Sequence, residues 1–198
     1  NNSRSLDPPH TGELNNVQYS ADGRWLVSSS DDGTIQVRDV DGVLLRTIEV
    51  DSHTKRLYCM SLHPTEPLVV IGSNPRRLSL WNLETGERVR EWTLEGRTVD
   101  AVLFTRDGEG MVVGDSDGGI WWIADRETSS ARLMARISST ILTMALVPRS
   151  GASRGIDPVL VSGRNRQITL VDLELGRVTR QWPAHHDWVQ AIAVTKDG

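Results

Sequence analysis

TIQVRD at 34–39, RLSLWN at 77–82, GIWWIA at 119–124 and QITLVD at 167–172 are four copies of one pattern. They return about 43 residues apart, stretched to about 48 before the last copy. Upstream of each lies a second recurring pattern, of apolar residues at strand-like spacing. Its copies are Leu14/Val17/Tyr19, Leu57/Met60/Leu62, Val99/Val102/Phe104, Ile141/Met144/Leu146 and Val189/Ile192/Val194. Three of them end in an Asp-Gly dipeptide, at Asp22-Gly23, Asp107-Gly108 and Asp197-Gly198. Asp-Gly accepts positive φ cheaply and closes tight hairpins. Two patterns locked to one period establish a repeat.

Within a unit the hydrophobic period is two, not 3.6. Trp25 to Ser30 is a β-rich run, Asp31-Asp32-Gly33 turns, Thr34 to Asp39 alternates, and Val43 to Ile48 returns. Each unit therefore reads as four short antiparallel strands. The expected strands are 15–20, 25–30, 34–39 and 43–49 in the first unit and 57–62, 68–72, 77–82 and 87–93 in the second. In the third they are 99–104, 110–114, 119–124 and 131–137. The fourth has 141–146, 158–162, 167–172 and 177–182, and 189–194 opens a fifth unit. Residues 131–137 alone could pass for helix; the register of the repeat overrides that.

Composition bounds the rest. The 198 residues are 38% hydrophobic and 24% charged, enough chain for a sizeable core. A net charge of −4 offers no overall basic field, so neither nucleic acid nor an anionic membrane is an expected partner. No apolar run approaches the roughly 20 residues that span a bilayer. A lone cysteine, Cys59, excludes an internal disulfide and a cysteine-rich metal cluster, and we expect a cytoplasmic protein. Seven Trp stand against one Phe and two Tyr, so tryptophan is placed at chosen positions.

A four-stranded unit with His near its start and Trp-Asp ending its third strand resembles the WD-repeat family of β-propellers. His185, Val189, Ile192, Val194 and the Lys196-Asp197-Gly198 turn resemble the opening half of that motif; His10 and His53 stand in the same place in the first two units. Trp81-Asn82 is the nearest match to Trp-Asp. The resemblance covers about residues 10 to 198 and implies an all-β propeller of four-stranded antiparallel blades. The blades run approximately 10–52, 53–95, 96–137 and 138–183, with a partial fifth over 184–198. It also implies a hydrogen-bonded chain of His, Ser or Thr, Asp and Trp across a blade, which no complete unit here carries in full. The first unit has His10, Ser28 or Ser30, and Asp32, with Arg38 for Trp; the second has His53, Ser73 and Trp81, with Pro75 for Asp. The third keeps Asp117 with Ile123 for Trp, and the fourth offers Asn165 and Val171, with Asp172 closing its third strand. Apolar packing between sheets is then the expected source of stability.

Four blades and one strand do not close a ring, and propellers need about four to eight blades. The expectation is that the 198 residues belong to a larger propeller or pair with a second copy or partner. Exposed edges and an apolar blade face would otherwise invite aggregation.

Catalytic motifs are weak. Residues 114–118 and 151–155 match G-x-S-x-G, and Asp172 and His185 follow in hydrolase order. A nucleophile elbow needs a strand, a strained turn and a helix, whereas Ser116 sits in a hairpin turn and Ser153 in a loop. Asp115 and Asp117 lack the spacing of a calcium loop, and His185-His186 lack a third ligand. No catalytic residue, metal or cofactor is expected, and the chain reads as a non-enzymatic protein-interaction scaffold, with the sensor or regulatory propeller of a larger signalling protein as one setting for it. The alternative is a hydrolase, or a small-ligand or nucleic-acid binder, working from the same face.

Strand directions alternate, so the loops between blades and the second-to-third strand turns emerge on one face. Glu13, Arg56, Thr98, Thr140 and Trp188 immediately precede the inner strands. The turns carry Asp31 and Asp32, then Arg76 and Arg77, then Asp115 and Asp117, then Arg164 and Arg166. Signs alternate from blade to blade. The expected partner site is Arg56, Arg76, Arg77, Arg164 and Arg166, meeting acidic groups, with Trp188 as apolar anchor. A second candidate is the 149–157 loop with Arg149 and Arg154.

Overall fold

Alternating apolar residues between Gly- and Asp-rich turns become strands, and no helix forms among the described residues. The computed structural model describes residues 7–50, 56–73, 76–95, 98–124, 130–148 and 156–195. The first sheet is β1 (Leu14–Tyr19), β2 (Trp25–Ser30), β3 (Thr34–Asp39) and β4 (Leu44–Glu49). The second is β5 (Leu57–Leu62), β6 (Leu68–Ser73), β7 (Arg77–Asn82) and β8 (Arg88–Thr93). The third is β9 (Val99–Phe104), β10 (Met111–Asp115), β11 (Gly119–Ile123) and β12 (Arg132–Arg136). The fourth is β13 (Ile141–Leu146), β14 (Val159–Gly163), β15 (Gln167–Asp172) and β16 (Arg177–Pro183). Each is an antiparallel meander in sequence order. The protein is all-β, built of propeller blades.

Several strand ends shift by a residue from the sequence expectation; β12, for one, covers Arg132–Arg136 where 131–137 is expected. Residues 189–194, expected to open a fifth unit, carry no strand. Val189 is 4% exposed and its amide reaches the Gly163 carbonyl at 3.2 Å, so the segment rests on the fourth blade without a ladder. A strand needs a paired neighbour on its hydrogen-bonding side, and the described residues supply none there. The Lys196-Asp197-Gly198 turn lies outside the described residues.

The period of two fills both faces of each blade. Val27, Ile35, Val37 and Ile48 of the first blade meet Leu57, Met60, Val69 and Ile71 of the second. The opposite face of the second blade sends Leu68, Val70, Leu78, Leu80 and Trp92 against Val102, Phe104, Met111, Val113 and Trp121 of the third. Ala101, Val112, Ile120 and Ile137 then meet Ile141, Met144, Val159, Val161 and Val171 of the fourth. Every residue of β6 is buried for this reason. Each fully buried Leu, Ile or Val contributes about 1.5–3 kcal/mol. Between blades the inner strands are tied by side chains: Asn16 Nδ2 donates to the Tyr58 carbonyl (3.2 Å), and the Leu62 amide donates to Gln18 Oε1 (3.1 Å).

The far side of the first blade is different. Leu14, Val17 and Tyr19 stay about 60% exposed, with no blade against them among the described residues. No helix is long and apolar enough to cross a membrane.

Candidate functional site

Backbone hydrogen bonds fix which turns share a face. The Asp31 amide donates to the Glu13 carbonyl (2.9 Å), Ser116 to Thr98 (3.0 Å) and Arg164 to Thr140 (3.4 Å). In the first, third and fourth blades, then, the residue before the inner strand touches the turn between the second and third strands. These turns and the interblade loops form the upper face, and Arg56 Nε lies 3.5 Å from Asp31 Oδ2 across the first blade boundary.

The last residue of each such turn is a left-handed corner. Gly33 has φ 83°, Arg76 60°, Gly118 80° and Arg166 62°. The four corner carbonyls accept from Val50 (3.0 Å), Leu94 (3.0 Å), Ile137 (2.9 Å) and Ala184 (3.0 Å), which pins the end of each outer strand. The corner is therefore compulsory. Glycine meets it without strain, whereas an L-residue there costs about 1–2 kcal/mol. The second and fourth blades carry that cost on arginine.

The arginines expected on this face fall into two groups. Arg56 faces Asp31, and Arg77 lies 3.9 Å from Glu91, so both are partly neutralised within the chain. Arg76 and Arg166 are exposed, and neither has an ion pair among the described residues. Arg164 stacks over the Trp188 ring, its guanidinium carbon 4.6 Å from the centroid. Trp188 keeps half of its surface exposed. A guanidinium on an indole face is held by the ring quadrupole and keeps its donor edge outward.

Between the inner strands lies a cavity of about 310 Å³, lined by residues including Asn16, Tyr58, Asp100, Leu142 and Gln190. Burial and the neighbouring Asp115 carboxylate push the Asp100 carboxyl up to about 6, against the pull of Arg164. A carboxyl raised on folding binds a proton that the unfolded chain releases, so stability falls as pH rises from about 4 to 6. Asp100→Asn removes that loss. We expect its unfolding free energy to exceed that of the parent by about 1 kcal/mol at pH 7.5, after allowing for solvent screening, with the two chains converging near pH 4. Urea titrations at both pH values measure it; an equal difference at both would contradict the assignment.

The residues read as structural motif do varied work. His10 Nδ1 lies 3.0 Å from Asp32 Oδ2, and its Nε2 lies 2.9 Å from Ser28 Oγ, so Ser28 rather than Ser30 is its serine partner. Burial opposes the charge on Asp32, but the Thr34 hydroxyl and amide, the Thr11 amide and the His10 ring outweigh it and hold the carboxyl at about 2. Arg38, in place of tryptophan, is 2% exposed; it donates to Gln36 Oε1 (2.7 Å) and to the carbonyls of Gly42 (3.0 Å), Asp7 (3.3 Å) and Pro8. Trp81 Nε1 donates to Ser79 Oγ (2.9 Å) rather than to Ser73. Asp172 caps the following turn, accepting from the amides of Glu174 (2.9 Å) and Leu175 (3.0 Å), as Asn82 does from Glu84 and Thr85. The His185 side chain is exposed, and its amide reaches the Arg166 carbonyl at 3.4 Å. His53, Pro75, Arg149, Ser153 and Arg154 lie outside the described residues.

Sequence reasoning missed the carboxylate at the centre of the third blade. Asp117 is exposed, whereas Asp115 is fully buried. Asp115 accepts from Trp121 Nε1 (2.6 Å) and from the amides of Asp117 and Gly119 (both 2.8 Å). The signal lay in the repeat register, where Asp115 aligns with the buried Ser30 and Trp121 with the buried Gln36. Ser116 sits on the β10–β11 hairpin turn with no helix after it, so it lacks the setting of a nucleophile.

The family described as WD domain, G-beta repeat matches residues 3–39 and 42–82. WD repeat-containing protein 90 of Xenopus tropicalis is 30% identical over 115 residues, covering 58% of this chain and 6% of that protein. Mouse Jouberin is 30% identical over 116 residues, 56% of this chain and 11% of its own length. The target of rapamycin complex subunit wat1 of Schizosaccharomyces pombe is 22% identical over 124 residues, 61% of this chain and 39% of its own. The chain thus spans well under half of each of these relatives. Residues 3–39 and 42–82 match the WD-repeat model, and the four-stranded blades on a repeating register, with His10, Asp32 and Trp81 in their motif places, make the chain similar to WD-repeat proteins.

Proposed function

We propose that the chain is a non-enzymatic protein-interaction scaffold whose upper face binds an acidic partner. The carrying observation is the Arg164–Trp188 stack on the upper face, exposed and beside Arg166. Aromatic and guanidinium groups held in place before binding lose little entropy on contact and dominate interface energetics. One relative's name, a target of rapamycin complex subunit, is that of a component of an assembly. A sensor or regulatory propeller within a larger signalling protein is the setting we favour, in the cytoplasm, where a free buried Cys59 stays reduced.

We further propose that the uncovered side of the first blade is closed by additional blades or by a second copy. Leu14, Val17 and Tyr19 form an exposed apolar strip of the kind that blades bury against one another.

Arg164→Glu/Arg166→Glu tests the face. The variant should capture the partner at least about tenfold more weakly, with its melting temperature nearly unchanged, because both side chains are exposed. Quantitative mass spectrometry of proteins retained by the two immobilised chains reads it. An unaltered retained set would count against this face.

A further inference from the structure

Arg76 and Arg166 occupy corners where glycine is the relaxed residue, as Gly33 and Gly118 show in the sister blades. Neither side chain packs into a core, and neither has an ion pair among the described residues. Their corner carbonyls hold the outer strands, but no side-chain hydrogen bond or ion pair among the described residues offsets placing arginine rather than glycine there. Strain held without a packing return points to binding. We propose that Arg76 and Arg166 form a paired anion-recognition set that grips spaced carboxylates on an acidic segment of a partner protein. The proposal rests on the upper-face reading and narrows it to two residues and one chemistry.

The left-handed corner sets where these side chains start. Its carbonyl is tied to the outer strand, at Leu94 for Arg76 and at Ala184 for Arg166, so the arginine leaves from a hydrogen-bonded corner. A planar guanidinium on a fixed base suits two-pronged recognition of a carboxylate. Between the two corners lies the turn of the third blade, with exposed Asp117, and the whole chain carries a net charge of −4. A continuous polyanion such as nucleic acid meets that acidic turn between its two contacts and is repelled. A peptide with carboxylates separated by neutral residues avoids it.

The experiment is fluorescence anisotropy of a dye-labelled peptide of alternating Glu and Ser, with a labelled oligothymidine beside it. Arg76→Gly/Arg166→Gly is the main variant, and glycine at these corners is what two blades already carry, so folding is preserved. Arg24→Ala/Arg106→Ala removes the same charge from turns on the opposite face. The expected result is peptide binding weakened roughly tenfold by the glycine pair, with a melting temperature equal to or above the parent's. The control pair should weaken it no more than about twofold, and oligothymidine should bind more weakly than the peptide. Equal weakening by both pairs would overturn the proposal, as would tighter binding of oligothymidine. Unchanged peptide binding by the glycine pair, with a loss in Arg164→Ala/Trp188→Ala, would overturn the corner proposal and leave the upper-face reading standing. A parent chain that binds no peptide would overturn both.

Discussion

Alanine in place of Asp115 should lower the unfolding free energy by about 3 kcal/mol or more, the largest loss we expect from any single polar side chain. Asp115 is fully buried and takes three donors, the Trp121 indole and the amides of Asp117 and Gly119. The substitution leaves all three donors buried without the acceptor they share. It also loosens the β10–β11 hairpin, whose turn forms part of the upper face. Asp117→Ala, two residues away and exposed, should cost about 1 kcal/mol or less. Urea unfolding of both variants reads the contrast. Similar losses at 115 and 117 would show that the carboxylate at the centre of this blade has been misplaced.

The second large effect is at Gly118. Its φ is 80°, and a Cβ built there overlaps the Ile137 carbonyl oxygen and comes within 2.7 Å of the Ser139 carbonyl oxygen. Both obstacles are backbone, and neither swings aside as a flexible side chain does. Strain and overlap together make Gly118→Ala cost about 2–4 kcal/mol. Arg166→Gly, the reverse exchange at the equivalent corner, should be neutral or slightly stabilising, because relief of strain roughly offsets the greater freedom glycine has when unfolded. Thermal melts of the two variants measured together test whether the backbone overlap at Gly118 adds to the strain of the corner. A tolerated Gly118→Ala would contradict it.

The fold was legible because its two patterns are periodic: apolar alternation reports the strands, and the Gly- and Asp-rich turns report their ends. β12 was legible only through the register, since Arg132 to Arg136 has little alternation of its own. Residues 189–194 have the right pattern but no ladder, because alternation specifies which side chains face inward and not whether a neighbouring strand is there to pair. The upper face was legible by counting turns, and the Arg164–Trp188 contact joins two residues singled out for it. The family motif was a poorer guide inside the blades. It directed attention to Asp117 when burial belongs to Asp115, and to Ser73 when Trp81 bonds Ser79. Hydrogen-bond partners depend on which way each side chain of a hairpin faces, and a one-residue change of register reverses that. The strained corners were visible in the alignment of Arg76 and Arg166 with Gly33 and Gly118, though the positive φ itself is a property of the folded turn.

Labour in the molecule is divided between a packed stack of blades and a recognition set of turns on one side of it. Hydrogen exchange with and without the alternating Glu–Ser peptide tests that division most directly. Added protection should concentrate at Arg56, Arg76–Arg77, Arg164–Arg166 and the backbone around Trp188. Protection centred instead on the opposite turns, 20–24, 63–67 and 105–110, would contradict it.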